Sequence, residues 1–190
     1  MSATFDERLN QILPRITTPE FLANKGLGNE IGFWVFDYPP DRELDMRAFV
    51  AAVVLPALAK ARIKTVDINL FQLIIDVLDE RKLLDRAIAM QESKGDAAAL
   101  AALRPVLKED KLAQRITSLI NVDEIHLLIL TGVGAAYPML RTHTLLSAMH
   151  AVMKTTPLLM FYPGRYDGFS LRLFNKLADD HYYRAFRLVE

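Results

Sequence analysis

Charged and tyrosine side chains follow several short apolar runs in this chain, where α/β proteins place their ligand sites. The run Leu158 to Tyr162 ends at a Pro-Gly turn and is too short for a helix, so it predicts a strand buried on both faces. Loops that follow parallel strands meet at one edge of a sheet. Arginines and helix amino ends at such an edge could hold an anion such as a phosphate. The candidate edge or binding residues are Asp37, Tyr38, Arg141, Tyr162, Arg165, Tyr166, Asp167 and Arg172.

Two glycine-containing runs bear on nucleotide chemistry. The phosphate loop GxxxxGK[ST] needs a lysine, but the run Gly164 to Ser170 is one residue short between its glycines and has Phe169 in the lysine position. The turn Thr131 to Gly134 lacks the third glycine of a dinucleotide fingerprint, and close packing of a loop on a helix explains its glycines equally well. We therefore expect no nucleotide hydrolysis, while binding without hydrolysis stays open.

Metal and hydrolase chemistry find little support in the sequence. The chain has no cysteine and four histidines. His143 and His150 stand seven apart on a predicted helix, about 10.5 Å along its axis, which is too far to chelate one ion. A triad of Ser170, His181 and Asp167 can be written, but no GxSxG elbow supports it. We predict no catalytic residue, no metal site and no cofactor.

Composition limits the classes of partner. The chain has 190 residues with 23 basic and 23 acidic side chains, so it lacks the net positive charge of a general nucleic-acid or membrane-surface binder. The arginines and tyrosines after Gly164 are of the types that bind single-stranded nucleic acid, so direct nucleic-acid binding is a secondary alternative. Acidic residues in the same stretch nearly cancel the positive charge. The polar start and the lack of an apolar stretch of about 20 residues predict a cytoplasmic protein without a membrane segment.

Apolar runs that alternate with helical patterns predict a single α/β domain over residues 1–190. Such alternation is typical of a mostly parallel sheet, here five-stranded, with helices on both faces in three layers. The stretch of about fifty residues between the second and third strands exceeds what a crossover needs and predicts a helical insertion at about 72–120. The predicted strands are 33–37, 64–70, 125–130, 158–162 and 183–189.

Prolines and cap residues set the predicted helix ends. The first helix should end before Pro14, because the residue before a proline avoids the helical conformation. A helix over 42–61 should be kinked or divided at Pro56. Further helices are predicted over 139–153 and from Asp167, as a capping residue, to about Leu177. The apolar stripe predicted for 42–61 is Leu44, Phe49, Val53 and Leu58.

Four stretches carry a family resemblance: NKGLGNEIGFWVFDYPP at 24–40, LTGVGAAYPMLRTHTLL at 130–146, PLLMFYPGRYDGFSLRLF at 157–174 and YYRAFRL at 182–188. They are similar to the BrxB family, a component of the bacterial BREX phage-defence system. The resemblance covers nearly the whole chain and fades from about Glu92 to Ile120. It implies a role in a multi-protein system that modifies host DNA and blocks phage replication, with PglZ and the methyltransferase PglX among its partners. It brings no established active site.

The strand and loop pattern also resembles a P-loop NTPase fold without its Walker A motif. By that analogy Tyr38 to Asp41 stands where the nucleotide loop would be, and the strand order is five, one, four, three, two. We therefore expect a non-enzymatic assembly or adaptor subunit that docks other BREX proteins, chiefly PglZ with PglX as a second candidate, through the sheet edge or the helical insertion. The alternative is a degenerate P-loop-like module that binds a nucleotide or nucleic acid without hydrolysis. A homodimer stays open.

Overall fold

A parallel sheet forms the centre of the protein. This computed structural model describes residues 4–25, 32–150, 152–153, 155–179 and 185–190. Five strands pair in parallel in the order β2-β3-β4-β1-β7, which confirms the predicted order when β7 is counted as the fifth strand. Residues 183 and 184 of the predicted fifth strand lie outside the described ranges. The strands are β1 (Phe33–Tyr38), β2 (Thr65–Asn69), β3 (Leu127–Thr131), β4 (Leu158–Tyr166), β5 (Leu171–Leu173), β6 (Leu177–Asp179) and β7 (Phe186–Arg187).

Helices cover both faces of the sheet, as predicted. One face carries the first four helices, and the other carries the remaining six. The first group is α1 (Phe5–Ile16), α2 (Pro19–Leu22), α3 (Glu43–Phe49) and α4 (Leu55–Lys60). The second group is α5 (Leu70–Glu80), α6 (Leu84–Lys94), α7 (Asp96–Leu103), α8 (Glu109–Leu119), α9 (Val133–Ala136) and α10 (Thr142–His150).

Alternation along the strands divides the apolar side chains between two cores. In β1, Phe33 and Val35 face the core beneath α5, α8 and α10, whereas Trp34 and Phe36 face the core beneath α1, α3 and α4. Such alternation follows from the two-residue period of a strand. All six residues of β1 are buried, because both faces of a parallel sheet are covered.

The first helix runs past the proline at which we expected it to end. Thr4 and Glu7 form a capping box at its start, with the Glu7 N–H donating to Thr4 Oγ1 at 3.3 Å. The helix continues through Pro14 to Ile16. Ile12 and Ile16 are both completely buried against the sheet, and their packing outweighs the loss of one backbone hydrogen bond at the proline.

The segment predicted as one helix over 42–61 is a helix with a wider turn in its middle. A 3-10 turn (Pro40–Arg42) leads into α3, and a π-helical stretch, Val50–Val54, connects α3 to α4. The wide turn falls just before Pro56, where the proline nitrogen cannot donate to the preceding turn. The predicted apolar stripe was wrong at Leu44, which is 75% exposed, and at Val53, which is 41% exposed, whereas Leu58 is buried and Phe49 packs against the same core. The face that packs on the sheet consists of Met46, Val50, Val54 and Leu58.

The predicted helix after Asp167 was wrong, because this part of the chain is a β-hairpin. β4 continues to Tyr166, and β5 and β6 pair with it and with each other as antiparallel strands. Leu171 and Leu173 are buried on either side of the exposed Arg172, and this period of two belongs to a strand. The predicted helix over 139–153 is also shorter, because residues 139–141 are not helical and α10 spans Thr142–His150.

Four helices, α5 to α8, lie between β2 and β3, where the helical insertion was predicted. Asn69 caps the first of them by accepting hydrogen bonds from the N–H groups of Phe71 (3.0 Å) and Gln72 (3.1 Å). α5 packs against α9, and α8 packs against α10. Within the described residues no helix is long and apolar enough to cross a membrane.

Candidate functional site

Three strands of the parallel sheet end close together at its carboxyl edge. Asn69 at the end of β2 is paired with Thr131 at the end of β3, and Tyr38 at the end of β1 is paired with Pro163 of β4. β4 does not end there, because it continues to Tyr166 and into the hairpin. The strand ends therefore share one edge of the sheet, as predicted, and β4, near the middle of the sheet, continues beyond that edge into the antiparallel hairpin.

Asp37 is buried, with 6% of its surface exposed, and serves as a junction between distant segments. Arg8 of α1 donates to Asp37 Oδ1 at 2.6 Å and to the Asp37 carbonyl oxygen at 2.8 Å. The Tyr166 N–H donates to Asp37 Oδ2 at 2.9 Å, and Arg187 Nη2 lies 3.5 Å from the same oxygen. Arg8 also donates to the carbonyl oxygen of Val189 at 3.3 Å. The carboxylate thus holds α1, β4 and the end of the chain on β1.

Tyr38 lies beside Asp37 and is also engaged inside the protein. It is 3% exposed, and its hydroxyl donates to Glu43 Oε2 at 2.5 Å. Burial, followed by the hydrogen bond to the Glu43 carboxylate, raises the pKa of Tyr38 well above its ordinary value of 10. The tyrosine therefore stays protonated and acts as a donor to the helix that follows β1.

The loop after β1 is poorly suited to hold a phosphate. Pro39 and Pro40 stand directly after Tyr38, and neither has a backbone N–H. Phosphate loops depend on a run of such N–H groups at a helix start. The position that the P-loop analogy assigned to a nucleotide thus lacks two of its donors.

Tyr162 and Tyr166 lie on β4 and are buried in the core beneath α10. The Tyr166 hydroxyl contacts two carbonyl oxygens, those of Ala185 at 2.6 Å and Gly168 at 3.1 Å. Since one of these lies in the hairpin and the other just before β7, Tyr166 joins the hairpin to the end of the chain. Neither ring is placed to contact an external ligand.

Asp167 closes the loop at the tip of the hairpin. Its Oδ1 accepts from the N–H groups of Phe169 (2.9 Å) and Ser170 (2.7 Å), and its Oδ2 accepts from the Ser170 hydroxyl at 2.9 Å. The hydrogen bond from the Ser170 N–H, followed by that from Phe169, lowers the pKa of Asp167 to about 2. Ser170 is therefore a loop residue, and its proposed triad partner His181 lies outside the described residues.

Arg165 and Arg172 are brought together, whereas Arg141 is separate from them. The two strand arginines are register partners on β4 and β5, and both are exposed. Arg141 is exposed in the turn before α10, where its backbone carbonyl accepts from the Leu145 N–H at 3.2 Å. Among the predicted candidates, Arg165 and Arg172 are the pair that faces solvent side by side.

Close packing accounts for both glycines of the turn after β3. Gly132 has a φ of +71°, and a Cβ there would lie 2.3 Å from Asn69 Oδ1. A Cβ on Gly134 would lie 2.9 Å from the Phe174 ring and 3.0 Å from Pro163. The ring of Tyr137, at the end of this turn, contacts Phe174 edge to face at 6.4 Å. This turn and the hairpin therefore form one packed surface.

The histidines do not form a metal site in the described part of the chain. No group of three or more histidine, aspartate and glutamate side chains is placed there to hold an ion. His126 Nδ1 accepts from the Lys64 N–H at 3.0 Å, and the ring of His150 lies 4.3 Å from that of Phe33. His126 and His150 therefore contact neighbouring groups of the protein.

An apolar groove of about 640 Å³ lies where the helical insertion meets the turn after β3. We call it the insertion groove, and it is lined by α5, α6, α7 and the dipeptide Pro138-Met139. Its lining includes Phe71, which is 37% exposed, and Ile88, which is 47% exposed. The sequence predicted helices in this region, but which of their apolar faces stay uncovered depends on how the helices pack together.

Comparison with known proteins gives a family. A family model described as "BREX protein BrxB" matches residues 66–188. A BREX protein BrxB from Bacillus cereus (strain H3081.97) is 39% identical over 189 residues, which cover 97% of each chain. A protein of the same name from Escherichia coli O9:H4 (strain HS) is 43% identical over 182 residues, covering 96% of this chain and 90% of the relative. No solved structure matches. The chain therefore belongs to the BrxB family.

Proposed function

We propose that this protein is a non-enzymatic assembly subunit of the BREX phage-defence system. Two relatives that it matches over nearly their whole length are named as proteins of that system. Its partners would be other BREX proteins, chiefly PglZ, with PglX as a second candidate. The observation that carries the proposal is the insertion groove, an uncovered apolar surface on an otherwise well-packed fold.

Three side chains that could act as an acid or a base instead make hydrogen bonds that stabilise the fold. Asp37 is bonded to Arg8 and Tyr166, and Asp167 is bonded to the backbone of its own loop. Tyr38 donates to Glu43. These arrangements support a role in assembly, since each of these three groups already has a structural partner.

The groove has the shape for a helix from a partner protein. Its walls are three helices, and its floor joins the insertion to the carboxyl edge through Pro138 and Met139. Phe71 and Ile88 are large apolar side chains that stand partly in solvent at its mouth. An amphipathic helix commonly docks in such a groove with residues at i, i+3, i+4 and i+7. Burial of side chains of this size contributes about 1.5–3 kcal/mol each.

Asp96 belongs to the lining of the groove, and three further acidic residues of α5 and α6 lie one helical turn from lining residues. Asp79 lies one helical turn beyond Ile75, and Asp85 and Glu92 lie one turn on either side of Ile88. These three carboxylates are exposed and make no ion pair within the described residues. The occupant should therefore be an amphipathic helix with lysine or arginine along the flank that lies over α5 and α6.

Co-expression with PglZ and PglX at low salt tests the proposal. The wild-type chain should co-purify with at least one of them, and Ile88→Glu should abolish the complex because it places a charge in the groove. Leu44→Glu is the matched control, since Leu44 is 75% exposed on α3, on the other face of the sheet. Both variants should melt within a few degrees of the wild type, because both side chains are exposed.

Two outcomes would overturn the proposal. One is a complex that Ile88→Glu leaves intact, since the groove would then not be the docking surface. The other is a chain that self-associates alone and becomes monomeric with Ile88→Glu, since the groove would then be filled by a second copy.

A further inference from the structure

The exposed face of the hairpin carries two arginines in direct cross-strand register. Arg165 of β4 is the register partner of Arg172 of β5, and both point away from the buried leucines beside them. Directly opposed residues of antiparallel strands have Cα atoms about 5 Å apart. Neither side chain makes a hydrogen bond or ion pair with another group in the described residues. The two guanidinium groups therefore stand side by side without an ion-pair partner in the described residues.

The Asp167 carboxylate interacts electrostatically with Arg172, but it forms no ion pair with either arginine within the described residues. Asp167 lies in the adjoining loop, but both its oxygens accept hydrogen bonds from the Phe169 and Ser170 groups of that loop. On the other side of Arg172 the register partner is Ala178 of β6. Like charges directly opposite each other destabilise a strand pair. One carboxylate beside two guanidinium groups leaves a net positive charge among these three side chains.

The hairpin is held rigidly enough to fix the spacing of the pair. A Cβ on Gly164 would lie 2.1 Å from the carbonyl oxygen of Arg172, so the glycine allows β5 to approach β4 closely. The Phe174 N–H donates to the Pro163 carbonyl at 2.9 Å, and Tyr166 bonds to Asp37 at the base. These contacts reduce the ordering cost of binding a ligand, because the two strands are already in place.

A phosphate group suits the pair better than a carboxylate. Each guanidinium presents a planar fork of donors that can bind two oxygens of one anion. A carboxylate has two oxygens and is satisfied by one fork, whereas a phosphate has more oxygens to share between two. Phe169, in the loop that joins the two strands, is 69% exposed, so part of its aromatic surface lies in solvent where a base can stack.

We propose that Arg165 and Arg172 bind a phosphate group, presented by single-stranded nucleic acid. Since only two cations take part, the site is an anchor for one or two phosphates. The logarithm of the binding constant should then fall with the logarithm of the salt concentration with a slope of about −1.4, or roughly 0.7 for each contact. A general basic surface would give a much steeper slope.

The test is fluorescence anisotropy with a labelled 15-nucleotide oligo-dT, from low to moderate salt. Arg165→Gln and Arg172→Gln should each weaken binding about fivefold and reduce the slope to about −0.7. Arg86→Gln is the matched control, since Arg86 is an exposed arginine of α6 with no ion pair in the described residues, and it should bind like the wild type. The two hairpin variants should melt at or above the wild-type temperature, because they remove a like-charge contact.

Competitors identify the chemistry that is recognised. Pyrophosphate should displace the oligonucleotide at millimolar concentration, and chloride at equal ionic strength should not. Isothermal titration with pyrophosphate alone separates the two sources: pyrophosphate binding that both hairpin variants lose, without saturable oligonucleotide binding, would assign the site to small phosphates and overturn the nucleic-acid source. The proposal is overturned altogether if nothing saturates at low salt, if Arg86→Gln weakens binding as much as the hairpin variants, or if poly-glutamate competes as well as pyrophosphate.

Discussion

Arg8 and Asp37 are joined by an ion pair of 2.6 Å that connects the first helix to the end of the first strand. The same arginine reaches the carbonyl oxygen of Val189, so the two ends of the chain meet at one buried carboxylate. Because Asp37 also accepts from the Tyr166 N–H, the position of the hairpin depends on this junction. The carboxylate that the sequence suggested as a ligand group is thus a structural centre.

Asp37→Asn should lower the free energy of unfolding by about 2–4 kcal/mol, because it leaves partly buried arginines without their counter-charge. Urea unfolding at neutral pH measures this. Arg42→Gln, which removes the ion pairs of an exposed arginine with Asp6 and Asp45 and its contact with the Phe5 ring, should cost about 1 kcal/mol. Equal losses for the two variants would show that the Arg8–Asp37 pair contributes no more than a surface contact.

Gly164→Ala should destabilise the hairpin, because its Cβ would lie 2.1 Å from the Arg172 carbonyl oxygen and β5 would have to move. We expect a loss of about 2 kcal/mol or more, with faster amide exchange in β5 and β6. Gly168→Ala provides the comparison, since its φ is +92° but its Cβ would meet open space. That change should cost about 1 kcal/mol from backbone strain alone. A smaller loss for Gly164→Ala than for Gly168→Ala would contradict the close strand approach.

Asp167 should make the stability of the hairpin loop decrease at low pH. Its folded-state pKa of about 2 lies below the ordinary 3.8, so its contribution is present above pH 3.8 and is lost as the pH falls towards 2. NMR titration of the carboxyl group should report the low pKa directly. Asp167→Ala should cost about 1 kcal/mol at neutral pH, as the loss of a capping carboxylate does. A titration midpoint near 3.8 would be inconsistent with the hydrogen bonds from Phe169 and Ser170.

Tyr38 should be among the last tyrosines to ionise on raising the pH. Its pKa is raised by burial and by its hydrogen bond to Glu43, whereas the unfolded chain ionises near pH 10. The folded state therefore holds a proton that the unfolded state loses, and this part of the stability decreases above about pH 10. Absorbance titration of the wild type and Tyr38→Phe separates this residue from the other tyrosines. Loss of a group that titrates near pH 10 in Tyr38→Phe would contradict the buried contact.

The sequence predicted the sheet well because strands and helices have different periods. The apolar runs at 33–37 and 158–162 both lie within strands of the structure, and the predicted strand order was right. The hairpin was missed because Asp167 followed by two backbone donors is common to a helix start and a tight turn. The alternation of Leu171, Arg172 and Leu173 was the signal that distinguishes the two.

Long-range contacts were beyond the reach of the sequence. Arg8 and Asp37 are separated by 29 positions, and no local pattern indicates that they pair. Along 42–61, two apolar stripes compete, and the π-helical stretch before Pro56 selects the one through Met46 and Val50. The insertion groove depends on how α5, α6 and α7 pack together, which tertiary structure decides.

Hydrogen–deuterium exchange on the chain alone and in a purified complex with PglZ is the most direct test of groove docking. The account predicts slower exchange in the complex for α5, α6 and α7 and around Met139, with little change in α3 and α4. Protection confined to α3 and α4, or no protection of the insertion groove in a complex that is stable, would contradict it.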